Sequence, residues 1–74
     1  MTLEAYRVKL GWSKAELARE AGIRAATVSD AEKGKRIYKA TAGKIANAIS
    51  RGLVSKGLGH EITYNDIERL NFAD

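Results

Sequence analysis

The stretch of sequence that decides the fold is residues 11–34, which read GWSKAELAREAGIRAATVSDAEKG. Ser13 and Glu16 have the spacing of a capping box, in which each side chain accepts a hydrogen bond from the backbone amide of the other residue. Gly22 follows this segment and is the residue type that most often ends a helix. The pattern therefore predicts a helix over residues 14–21.

A second short helix is predicted directly after the first, over residues 25–33. Only residues 22–24, Gly-Ile-Arg, connect the two. Two short helices joined by a three-residue turn that contains glycine cross steeply, as they do in a helix-turn-helix. The second helix would then project from the body of the domain. Its outer face would carry Ala25, Ala26, Ser29, Asp30 and Lys33.

The apolar spacing and the capping residues on either side of this pair predict three more helices. The clearest inward row, at spacings of three and four residues, is Ala42, Ile45, Ala46 and Ile49. Because Leu53 continues that row, the end of this helix is placed only within about four residues. The predicted helices cover residues 2–10, 14–21, 25–33, 39–51 and 64–70, with a loop over residues 35–39. The expected fold is an all-α domain of five helices over residues 1–74, with no strand.

Composition narrows the range of functions. The chain has no Cys and one His, so a disulfide framework, a thiolate zinc site and a site of several imidazoles are excluded. No apolar run approaches the roughly 20 residues of a membrane span. The N-terminus lacks the basic start and apolar stretch of a signal peptide. We therefore expect a cytoplasmic protein with no membrane segment, no cofactor, no metal and no catalytic site.

Positive charge is concentrated in the first three quarters of the chain. Residues 1–56 carry twelve Lys or Arg against five Asp or Glu, whereas residues 57–74 carry one against four. A basic body of this kind favours a polyanionic partner such as nucleic acid. Basic residues also flank the second helix of the pair on both sides, at Lys14, Arg24, Lys35, Arg36 and Lys39. That is the arrangement that phosphate contacts beside a reading helix require.

Residues 11–23 resemble the first half of the Xre/Cro/lambda-repressor-like helix-turn-helix DNA-binding domain. Residues 24–34, with Thr-Val-Ser followed by Glu-Lys-Gly, resemble its recognition helix, and residues 44–49 look like its fourth helix. The resemblance covers about residues 3–50. It implies a five-helix domain that binds double-stranded DNA, typically as a dimer, and regulates transcription.

The resemblance also implies roles for individual residues. Base reading falls to Arg24, Ala25, Ala26, Thr27, Ser29, Asp30 and Lys33. Phosphate contacts fall to Ser13, Lys14, Lys35, Arg36, Tyr38 and Lys39. Arg7 and Glu32 match an Arg and a Glu that pair within this fold, and we interpret them as a structural ion pair.

Four positions depart from the family pattern. Lys14 stands where Gln is common, and Arg24 stands where Ser or Thr usually caps the recognition helix. Ala25 and Ala26 occupy positions that often hold Gln, Asn or Arg. Because Ala cannot hydrogen-bond a base, it can only contact a thymine methyl. Asp30 either accepts from cytosine N4 or pairs within the chain, with Lys33 or Arg24 as the expected partner.

The C-terminal end is apolar and acidic. We expect part of its apolar side chains to close the core and the rest to form a dimer or partner surface. These residues are Ile62, Tyr64, Ile67, Leu70 and Phe72. The acidic residues beside them, Glu61, Asp66 and Glu68, would keep this end away from DNA.

Three functions fit these observations. The first is a sequence-specific regulator of transcription, acting as a repressor. The second is an antitoxin-type protein that binds a partner toxin and its own operator. The third is a basic helical module that binds RNA or a protein of the ribosome or transcription machinery.

Overall fold

The computed structural model describes residues 1–74. Its four helices are α1 (Leu3–Leu10), α2 (Lys14–Ala21), α3 (Ala25–Glu32) and α4 (Lys39–Ser55). Its two short strands are β1 (Arg36–Ile37) and β2 (Asn71–Phe72). No helix is both long enough and apolar enough to cross a membrane.

The caps of α2 form as the sequence predicts. The Ser13 amide donates to Glu16 Oε1 at 3.0 Å, and the Glu16 amide donates to Ser13 Oγ at 3.0 Å. Gly22 ends the helix in a left-handed conformation with φ of 70°. By contrast, the N-cap of α3 is Arg24, whose side chain makes no capping hydrogen bond.

The fourth helix runs to Ser55, four residues past the predicted end. Leu53 continues the inward row and is buried. Gly52 lies inside the helix and does not end it. At this residue Trp12 packs closest to the helix backbone. A Cβ atom at this position would lie 2.8 Å from the Trp12 ring. Close packing therefore requires a glycine inside the helix.

The predicted fifth helix over residues 64–70 is wrong. Only Tyr64–Asp66 forms helix, a single 3-10 turn. At the start of the turn, the Thr63 amide donates to Asp66 Oδ2 at 2.9 Å. Arg69 then takes a left-handed backbone conformation with φ of 63°, which a right-handed helix cannot include.

The chain after this turn is extended, so the all-α helix-turn-helix fold has four helices rather than five, together with two short strands. β2 pairs in parallel with β1, so the predicted loop over residues 35–39 contains a strand. Arg36 lies opposite Asn71 and Ile37 lies opposite Phe72. The Ala73 amide donates to the Ile37 carbonyl at 2.9 Å. Backbone groups that a helix would satisfy locally are satisfied here by a distant segment.

We call residues 60–74 the C-terminal strap, because they are tied to the domain at several places. Ser50 holds the start of the strap. Its hydroxyl donates to the Ile62 carbonyl at 3.0 Å and accepts from the Ile62 amide at 2.9 Å. Further along, the Glu68 amide donates to the Met1 carbonyl at 3.0 Å. The strap thus joins the end of α4 to the N-terminus.

One core holds the helices and the strap together. Its fully buried larger side chains come from all four helices: Leu3, Leu10, Leu17, Val28, Ile45 and Ile49. Ile67 from the strap belongs to the same cluster. The core therefore sits behind α3 and leaves the opposite side of that helix facing solvent.

Candidate nucleic-acid interface

α3 is anchored in the domain through one face. Val28 and Ala31 are buried in the core. Glu32, at the end of the same helix, forms a two-pronged ion pair with Arg7 of α1. The Arg7 Nε–Glu32 Oε2 distance is 2.7 Å and the Nη2–Oε1 distance is 3.2 Å. The Arg7 and Glu32 side chains are only 14 % and 6 % exposed, so the pair lies largely out of water.

Arg7 also links this pair to the start of α2. Its Nη1 donates to the carbonyl of Trp12 at 3.0 Å. The hydrogen bonds to Glu32 raise the pKa of Arg7, and burial opposes that shift. One guanidinium thus fixes α1, α2 and α3 relative to each other. This is a structural role, and it holds the outward face of α3 in place.

The outward face of α3 contains small side chains and polar groups that are already in contact with lysines. Ala25, Ala26 and Lys33 are exposed, while Thr27, Ser29 and Asp30 are half-buried. Lys14 Nζ donates to Ser29 Oγ at 3.4 Å. Asp30 pairs with Lys35 at 3.5 Å, and neither of the two partners considered from the sequence, Lys33 and Arg24, forms an ion pair with it. A cation therefore stands on each side of this face.

The remaining residues predicted to contact phosphate lie just before α2 and in the segment from β1 to the start of α4. Ser13, Arg36, Tyr38 and Lys39 are exposed. Lys39 also contacts the strap. Its amide donates to Asp74 Oδ1 at 2.9 Å, and its ammonium lies 5.8 Å from the centre of the Phe72 ring. Tyr38, the residue before α4, makes no capping bond, so Asp74 supplies the acceptor at the start of that helix.

A family model described as helix-turn-helix matches residues 3–55. The chain belongs to the helix-turn-helix family, in its Xre and lambda-repressor-like group. It is a DNA-binding regulator of transcription. Neither the curated proteins nor the solved structures contain a match to this sequence. The match ends at the last residue of α4, so the strap lies outside the matched part of this helix-turn-helix protein.

The strap of this helix-turn-helix protein packs its apolar side chains against the domain. Ile67 is buried in the core. The other four residues predicted at a dimer or partner surface are half-buried against the core: Ile62, Tyr64, Leu70 and Phe72. The Tyr64 and Phe72 rings pack edge to face with centroids 5.3 Å apart. The larger apolar side chains that remain exposed lie elsewhere: Met1, Val8, Tyr38, Val54 and Leu58.

The last residues of the strap lie next to α3 and the start of α4. Asp74 lies at the start of α4, and Asn71 Nδ2 donates to the Gly34 carbonyl at 2.6 Å, just after α3. Sequence reasoning did not identify either residue. No local pattern signals them, because their partners lie 35 and 37 residues earlier in the chain.

Proposed function

We propose that this helix-turn-helix protein is a sequence-specific repressor that docks α3 in the major groove of double-stranded DNA. The observation that supports docking is the outward face of α3, which is accessible while its opposite face is buried in the core. The major groove is about 12 Å wide and admits one helix. Occupying a promoter in this way would block transcription.

In this proposal, phosphate contacts come from both sides of α3. Lys14 lies on one side, within 3.4 Å of Ser29, and Lys35 lies on the other, within 3.5 Å of Asp30. Arg36 follows Lys35 and is exposed on β1, with no carboxylate partner. Such contacts set the position of the helix on the duplex but carry no sequence information directly.

We further propose that two copies act together on DNA. One eight-residue helix with alanine at two reading positions makes few base contacts, so a single copy falls short of typical specific affinity. Two copies on a pseudo-palindrome would read half-sites about 34 Å apart. The apolar residues of the strap that were expected to join two copies are largely packed against the core. The dimer would therefore form on DNA. Sedimentation with and without an operator duplex tests this, and one chain per duplex at saturation contradicts it.

The test of DNA binding is selection of sites from random-sequence duplex DNA, followed by titration at several salt concentrations. We expect one enriched half-site and an affinity that falls steeply with salt. Arg36→Ala should weaken all duplexes about equally and reduce the salt slope by about one. Lys9→Ala is the matched control, because Lys9 lies on α1 outside the proposed interface. No enrichment, or equal binding to single-stranded RNA, would contradict the proposal.

A further inference from the structure

The methyl group of Ala26 lies at the centre of the surface that α3 presents to solvent. In an α-helix of 3.6 residues per turn, Ala26 lies on the side opposite Val28 and Ala31, which are buried. Ala25 precedes it and is also exposed. No side chain caps the helix in front of them. The first turn of α3 thus offers two exposed methyl groups, and its one hydrogen-bonding side chain, Thr27, is half-buried.

The polar groups one turn further along are already in contact with lysines. Ser29 accepts from Lys14, and Asp30 pairs with Lys35. Both polar side chains are thus engaged with lysines, one helical turn beyond Ala26. A base edge facing the first turn would therefore meet Ala26 first.

The chemistry of the major groove selects what such a surface accepts. Each base edge there presents hydrogen-bond donors or acceptors, and thymine alone adds a methyl group. An apolar surface pressed against a purely polar edge leaves groups unsatisfied, which is unfavourable. Against the thymine methyl, the same surface removes apolar area from water on both sides.

We infer that the protein recognises duplex DNA through the 5-methyl group of a thymine that packs against Ala26, with Ala25 beside it. The inference rests on the proposed docking of α3 in the major groove. Ala26 is then a specificity-determining residue that contacts the base through its Cβ atom and through no polar atom.

Replacement of thymine by deoxyuridine tests the inference, because only the methyl group is removed. In the selected half-site, each thymine is replaced in turn on each strand. One replacement should lower affinity about fourfold, the effect expected for one buried methyl group. Putting cytosine at that position should weaken binding, and 5-methylcytosine should restore part of the loss. Replacing thymines outside the half-site is the nucleic-acid control and should change nothing.

Ala26→Gly tests which residue contacts the methyl. The variant should bind the thymine and deoxyuridine duplexes equally, because its side of the contact is gone. Glycine also weakens a helix, so the matched control is Ala40→Gly. Ala40 is exposed and is the second residue of α4, as Ala26 is of α3. The control should keep the fourfold ratio.

The outcomes separate this inference from the proposed function. A half-site without a thymine that responds to methyl removal overturns the inference and leaves DNA reading by α3 intact. A response that persists unchanged in Ala26→Gly assigns the methyl to another residue and also overturns it. If no duplex sequence is enriched, the proposed function and the inference fail together.

Discussion

The start of α2 and the C-terminal strap have the same kind of capping motif. Local contacts determine the structure that follows the motif in α2, whereas distant contacts determine it in the strap. The box at the start of α2 joins Ser13 to Glu16, and the whole predicted helix forms. The strap also has a capping contact, between Thr63 and Asp66, yet only one 3-10 turn follows it. A cap therefore predicts where a helix begins, and the contacts available to the following residues decide whether it continues.

The difference lies in where the partners are. After Ser13, the backbone finds its acceptors within four residues. After Asp66, the chain instead contacts Met1 and Ile37, which lie far away in sequence. The helix-turn-helix is thus specified locally and the strap is specified by the folded domain. Four variants test this comparison, in order of decreasing expected effect.

Arg7→Met should have the largest effect, because it breaks the one strong long-range tie within the helix-turn-helix region. It leaves the carboxylate of Glu32, which is 6 % exposed, without its partner. We expect a loss of about 3 kcal/mol in the free energy of unfolding, the lower end for breaking a buried pair. Urea denaturation measures it. The double variant Arg7→Met with Glu32→Gln should recover part of the loss, whereas additive losses would show that the two side chains do not interact.

Ser50→Ala should loosen the strap while leaving α2 and α3 in place. Its buried hydroxyl bonds both backbone groups of Ile62, so its removal leaves them unpaired. We expect a loss of about 1–2 kcal/mol. Hydrogen exchange should speed up at Ile62 and at the strap residues beyond it. Ser55→Ala, at an exposed position of α4, is the matched control. Equal acceleration throughout the chain would mean that the strap is not a separate unit.

Ser13→Ala removes the local signal itself. The loss of an N-cap side chain should cost about 1 kcal/mol. Part of its effect should depend on pH, because the backbone amide of Ser13 and, to a smaller extent, its side chain lower the pKa of Glu16 below its ordinary value, and the variant removes the side-chain part. A carboxylate with a lowered pKa in the folded state stabilises the fold at neutral pH, and that contribution is lost as the pH falls through the lowered pKa.

Thermal melts between neutral and acidic pH measure this contribution. The destabilisation by Ser13→Ala should shrink as Glu16 becomes protonated. Glu16→Gln should remove the part of the pH dependence that belongs to this residue. A destabilisation that stays constant down to strongly acidic pH would show that the box does not involve the ionised carboxylate.

Asp74→Ala should have the smallest effect on stability and an opposite effect on DNA binding. The Asp74 carboxylate lies beside Lys39 and the exposed start of α4. Its removal costs one surface contact, about 0.5 kcal/mol. Because a negative charge leaves the basic surface, affinity for any duplex should rise about twofold at low salt. Glu61→Ala, at the other end of the strap, is the control. Equal gains in affinity from both variants would show that the effect comes from the net charge of the protein alone.

Much of the helical architecture was predictable from local pattern. The capping box, the glycines and the inward row of α4 indicate the four helices, since each signal acts within about one helical turn. The apolar row placed the end of α4 only within about four residues. The helix continues through Gly52. Only the contact of this residue with Trp12 explains a glycine inside the helix. At the candidate interface, the outward face of α3 was predictable from helical spacing.

The sequence by itself determined the helix pair, its outward face and the basic residues around it. The physical reason is that hydrogen bonds and apolar spacing in short helices depend on residues three and four positions apart. Tertiary structure alone decided the strap and the position of Asp74 at α4. In the strap and at Asp74, backbone and charged groups take partners from segments brought together by burial of the core. The spacing of residues along the sequence does not indicate which distant segments these are.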